Sequence, residues 1–155
     1  MGDVLTTGSL TDVLTKAKPQ ELKDILQENM DSFEDDTKPF SAFMRKTIRE
    51  KGLKQQDVFL NADLPEGYGY KLISGEKHTK KRDIILRICI ASKFNLKETQ
   101  KALKLYGMSP LYAKFKRDAA LIIAINSSVN DPHEVDALLS EYGMEALSIC
   151  SPQGE

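Results

Sequence analysis

The chain has 155 residues, 41% of them hydrophobic and 29% charged, with a formal net charge of −1 at pH 7. These values are ordinary for a soluble globular protein of one domain, or a small domain and a second, and no apolar run approaches the length of a membrane span. The two cysteines and two histidines lie far apart in sequence without ligand spacing, so two reduced thiols, no metal and no cofactor are expected.

The near-zero charge conceals an asymmetry. Residues 1–38 carry 4 basic and 9 acidic side chains, residues 39–105 carry 15 basic and 7 acidic, and residues 106–155 carry 3 basic and 7 acidic. A cationic middle with acidic flanks is the pattern of a polyanion-binding module with regulatory or assembly segments; a solvated helical surface of uneven charge is the alternative. The start of the chain lacks the charged and apolar regions of a signal peptide, which makes the cytoplasm the expected location.

In chain order, residues 1–9 read as loose, and Ser9 as the cap of a short helix with Leu10, Val13 and Leu14 on one face. Lys18-Pro19 interrupts it, and Leu22, Ile25, Leu26 and Met30 then fall at helical spacing. Residues 31–38, DSFEDDTK, read as an acidic linker with Phe33 as one apolar anchor. This part is too small for a core of its own and is expected to dock on the rest of the chain or on a partner. Phe40, Phe43, Met44 and Ile48 form the buried stripe of the next helix, which Gly52 ends.

Residues 53–82, LKQQDVFLNADLPEGYGYKLISGEKHTKKR, read as two short helices around a tight turn. The first runs from about Lys54 to Ala62, Asp63 to Pro65 turn the chain, and the second covers residues 66–74 with Gly75 as its end. A basic loop follows. The apolar run from Ile84 to Ile90 suits a central buried helix. Asn95, with Glu98 three residues on, predicts a capping box for the next helix, closed by Gly107. Ser109-Pro110 predicts the start of a long helix over 111–126, whose apolar middle at 119–125 must be buried. Asp131-Pro132-His133-Glu134 starts another helix, with Val135, Leu138, Leu139 and Tyr142 inward and Gly143 at its end. In the tail, Leu147, Ile149 and Cys150 are the residues that could pack. No period-two alternation predicts a strand.

Gly52, Leu53, Gln55, Val58, Leu64, Leu72 and Gly75 fall in step with the helix-turn-helix of the Cro/phage-repressor (XRE) type, which the stretch from about 40 to 105 resembles. With Tyr68-Gly69-Tyr70, Ser74-Gly75, Ser109 to Tyr112 and Lys116 to Ala119, it is also similar to a bacterial subgroup carrying a helical C-terminal extension. Several positions depart from these patterns, among them Glu66-Gly67 in place of a basic residue and Thr, and Lys116-Arg117 in place of Arg-Arg. Phe59 replaces a small residue and Gly69 a bulky aliphatic one, a compensated swap in which Phe59 fills the space Gly69 vacates. Asp63 stands where the turn usually has glycine, and it tolerates a left-handed backbone. The resemblance implies an all-α chain: an acidic N-terminal helical segment and linker (1–38), a repressor-like five-helix domain with the helix-turn-helix (39–105), and a C-terminal helical extension packed on it (106–155).

The function so implied is a DNA-binding transcriptional regulator, with the second helix in the major groove of double-stranded DNA. Its outward face offers Glu66, Tyr68, Tyr70, Lys71 and Ser74, of which Tyr68, Tyr70, Lys71 and Ser74 would meet base edges or nearby phosphates. Gln55, Lys77, Lys80, Lys81 and Arg82 would hold the backbone. Glu66 carries the wrong sign for that surface, and Gly67 and Gly69 weaken the helix. The alternative is therefore a protein-interaction adaptor on a helix-turn-helix scaffold that no longer reads DNA. A homodimer, with the helix at 111–126 as one available interface, and a protein partner for the acidic N-terminal segment are the further expectations, as is masking of the basic domain by that segment. No nucleotide loop, catalytic triad or cysteine–histidine pair is present in the sequence, so no enzyme is expected.

Overall fold

The computed structural model describes residues 4–33 and 38–150. Among them the chain is all-helical, with nine α-helices, two short 3-10 turns and no strand. It divides into two compact units, Met1–Pro39 and Phe40–Glu155. The middle of the acidic linker, including Asp35-Asp36, and the tail beyond Cys150 lie outside the described residues.

The first unit holds α1 (Thr7–Lys16) and α2 (Leu22–Glu28). The cap of α1 is Thr6 rather than Ser9: the Thr6 hydroxyl accepts the Ser9 N–H at 3.2 Å, which places Ser9 inside the first turn. Pro19 opens a single 3-10 turn before α2. Ile25 is the one buried apolar side chain here among the described residues, while Val13, Leu14, Leu22, Leu26 and Met30 remain exposed.

The second unit takes all of α3 (Pro39–Glu50) but its first residue and continues through α4 (Gln55–Asn61), α5 (Tyr68–Ser74), α6 (Arg82–Ala91), α7 (Leu96–Leu105), α8 (Lys116–Asn126) and α9 (Pro132–Glu141). Phe40, Met44 and Ile48 of α3 are buried on the expected stripe. At Gly52 (φ 72°) the chain turns left-handed, and the Leu53 N–H closes back on the Ile48 carbonyl at 3.2 Å. Helix α6 runs through the centre: every residue from Ile84 to Ala91 is buried. The capping box of α7 is present, with Asn95 and Glu98 each accepting the other's backbone N–H.

The expected helix over 111–126 starts later, at Lys116. Leu111 is held by the Gln100 side chain, which accepts its N–H at 2.7 Å and donates to its carbonyl at 2.9 Å. The Asp118 carboxylate takes the Tyr112 N–H at 2.9 Å. These contacts fix the segment before α8 in a non-helical path, so Ser109 and Pro110 do not open the helix. Nor is its middle buried all round: Leu121, Ala124 and Ile125 are, whereas Ile123 is exposed. Helix α9 is capped by Asp131, which accepts the His133 N–H at 2.9 Å, with Pro132 in its first turn. In the tail Leu147 is buried, Cys150 is half-buried and Ile149 points outward.

One core serves the whole second unit. Leu111, Leu121, Ala124, Ile125, Val135, Leu139 and Leu147 belong to the same buried cluster as the residues of α3 to α7. Two arginines tie residues 145–148 to it. Arg87, fully buried on α6, donates to the carbonyls of Ser148 at 2.7 Å and Leu147 at 2.8 Å and pairs with Asp136 at 3.3 Å. Arg117 donates to the carbonyls of Glu145 and Ala146.

Candidate nucleic-acid interface

Helices α4 and α5 meet through a turn built on Asp63. Its backbone is left-handed (φ 58°), as expected, and the Leu64 N–H reaches the Phe59 carbonyl at 3.1 Å. The Asp63 carboxylate lies 2.9 Å from His133 Nε2, which links the turn to the start of α9. Phe59 is buried with its ring against Gly69, at a place where any Cβ would collide with it. Phe59 thus fills the space that Gly69 leaves open between the two helices.

The second helix begins two residues later than its sequence pattern indicates. Gly67 is left-handed (φ 77°), a backbone conformation that cannot continue a right-handed helix, so Glu66 and Gly67 form the turn and α5 starts at Tyr68. Only Gly69 then carries the cost of a glycine inside a helix. No side chain caps this end. At about 100° per residue, Tyr68 and Tyr70 stand on opposite sides of the helix and cannot share one face. Tyr68 is buried at 4% exposure and belongs to the core, so it is not available to a groove. Tyr70 stands outward, with its ring edge-on to Phe59 at 4.8 Å between centroids. Lys71 is exposed and Ser74 half-buried.

Beyond α5 the loop at 75–81 is held at nearly every turn. Gly75 (φ 85°) ends the helix. The Glu76 N–H reaches Ser74 Oγ at 3.3 Å, and the Lys77 N–H reaches the Lys71 carbonyl at 3.0 Å. The Thr79 N–H donates to the Tyr106 hydroxyl at 2.8 Å, and the Lys81 N–H donates to Thr79 Oγ1 at 3.1 Å. The His78 ring stacks on Tyr106, with centroids 4.5 Å apart and planes within 9°. Lys77, Lys80 and Lys81 are exposed on this fixed backbone, and Gln55 is half-buried at the start of α4.

Arg82, the last of the expected phosphate contacts, is engaged elsewhere. Its guanidinium makes a two-nitrogen contact with Asp118, 3.2 Å for the longer arm, and also lies near the Ser109 and Pro110 carbonyls. The next residue mirrors it: Asp83 receives both arms of Arg117, at 3.0 and 2.9 Å, and the Ser148 N–H at 3.0 Å. Two Arg-Asp dipeptides, 82–83 at the start of α6 and 117–118 at the start of α8, thus clasp each other crosswise. Burial pushes the Asp83 carboxyl up, but the Arg117 and Ser148 bonds outweigh it and hold the carboxyl below its ordinary range. Arg82 is a structural residue because Asp118, only 2% exposed, needs its charge.

Sequence reasoning missed Tyr106, His78 and Thr79 as the supports of the loop. Tyr106 lies 27 positions from Thr79, and no local spacing couples them. The repeated Arg-Asp dipeptide was the one signal for the clasp. Among the described residues no group of three or more histidine, cysteine or acidic side chains could hold a metal, and no helix is long and apolar enough to cross a membrane. The chain matches no protein-family model, no curated protein and no solved structure.

Proposed function

We propose that the protein is a DNA-binding transcriptional regulator of the XRE type, which lays α5 in the major groove and holds the phosphate backbone with the loop that follows. The observation that carries this reading is the hydrogen-bonded loop at 75–81, which carries the exposed Lys77, Lys80 and Lys81 directly after the exposed Tyr70 and Lys71 of α5 in the chain. Fixed backbone and exposed ammonium groups suit phosphate binding, because little ordering is needed when the duplex arrives. Gln55 at the start of α4 is the proposed contact on the other flank.

The adaptor reading stays as the second. Glu66 is exposed at the mouth of α5, Tyr68 is buried, and Arg82 is taken by Asp118. Each of these removes a side chain from the groove-facing set or sets a repelling charge beside it.

Selection from a random duplex pool, read by fluorescence anisotropy at about 50 and 200 mM salt, separates the two. The regulator binds an enriched motif with a steep salt dependence. Replacing Lys77, Lys80 and Lys81 by Ala weakens binding on all sequences and lowers the log–log salt slope by about 2–3, close to one for each phosphate no longer neutralised. Absence of duplex binding at the lower salt overturns the regulator and leaves the adaptor.

A further inference from the structure

We infer that Tyr106 is the positioning residue of the basic loop, and that polyanion binding at Lys77, Lys80 and Lys81 depends on its hydroxyl although it contacts no ligand. The inference rests on the nucleic-acid reading for its purpose, but its geometry is independent of that reading. Tyr106 follows α7 in a different part of the sequence and touches the loop in two ways. Its hydroxyl accepts the Thr79 N–H at 2.8 Å, and its ring lies flat under His78 at 4.5 Å. Phe40 meets the same ring edge-on, with centroids 4.7 Å apart.

Thr79 is the centre of the arrangement. It is buried at 1% exposure, and its hydroxyl accepts the Lys81 N–H. One phenol oxygen therefore fixes Thr79, and Thr79 fixes the backbone of Lys81 two residues on. Burial raises the Tyr106 phenol above its ordinary value, with the Thr79 N–H opposing the shift and Tyr68 adding to it. The phenol thus stays protonated at neutral pH, so the hydroxyl remains a neutral acceptor.

The test is Tyr106→Phe, which removes the hydroxyl and keeps a ring against Phe40 and His78. Amide hydrogen exchange by NMR should speed up within 77–81 and stay unchanged in α6 and α7; unchanged exchange in the loop overturns the inference, whatever the ligand. Duplex affinity should fall about fivefold in the otherwise native protein and hardly change in the Lys77→Ala/Lys80→Ala/Lys81→Ala background, because the tyrosine acts through those lysines. An equal loss in both backgrounds marks a general weakening of the fold and overturns the inference. If the native protein binds no duplex while the loop exchange still quickens, the tether stands as a structural fact and the nucleic-acid reading fails instead.

Discussion

Gly69 is the second residue of α5, where helix propensity still favours alanine over glycine, by at most about 1 kcal/mol. By propensity alone Gly69→Ala should stabilise the protein. The Phe59 ring reverses the sign, because a new methyl would occupy the volume the ring already fills. Overpacking of this kind costs about 1–3 kcal/mol, enough to exceed the gain in propensity. Gly69→Ala is therefore expected to lower the urea midpoint, and Phe59→Leu, destabilising alone, to recover part of the loss when combined with it. Additive effects in that double-mutant cycle would show that the two residues do not share the space. The same contact carries Tyr70, whose ring leans on Phe59. A single substitution in the core of the helix pair thus reaches a residue proposed to meet the groove.

At the scale of elements, what was legible in the sequence was local. Gly52, Gly75, Gly107 and Gly143 all have positive φ where a helix stops, and Asn95 with Glu98 forms the box its spacing indicates. The start of α8 was not legible, because its position is decided by side-chain contacts that no helical spacing announces, from Gln100 to Leu111 and from Asp118 to Tyr112. The start of α5 failed for a different reason: Gly67 reads equally well as a weak helix residue or as a left-handed turn. At the candidate site, the exposed lysines followed from charge and position, whereas the fate of Arg82 depended on a partner 36 residues away. The clasp between α6 and α8 predicts a contrast among neighbouring basic residues. Arg82→Ala leaves the buried Asp118 carboxylate without its counter-charge and should cost up to about 3–5 kcal/mol, less whatever water restores on the partly exposed Arg82 side. Lys77→Ala and Lys80→Ala, at exposed positions, should stay within about 0.5 kcal/mol. Urea unfolding of the three variants checks this, and an Arg82→Ala protein as stable as the lysine variants would return Arg82 to the set of available phosphate contacts.

At the scale of the molecule, the segment after Leu105 is part of the body of the second unit. It contributes Leu111, Leu121, Ala124, Ile125, Val135, Leu139 and Leu147 to the core, and it supplies Arg117, Asp118 and Asp136 to pairs with α6. Burying each large aliphatic side chain is worth about 1.5–3 kcal/mol, so the five among these seven that are valine, leucine or isoleucine on α8 and α9 or in the tail already approach the total stability of a typical domain, about 5–15 kcal/mol. A chain cut after residue 105 would also expose the apolar face of α6 and leave Arg87 without its carbonyl and carboxylate partners. Every member of the core cluster, by contrast, lies at or after Phe40. Two truncations should therefore behave oppositely. The chain of residues 38–150 is expected to unfold cooperatively within a few degrees of the full-length midpoint, while that of residues 1–105 is expected to show no cooperative transition. Circular dichroism melts of the two decide it: a sharp transition from residues 1–105 would mean that α3 to α7 hold a sufficient core without α8 and α9, and the clasp would then join two separable parts.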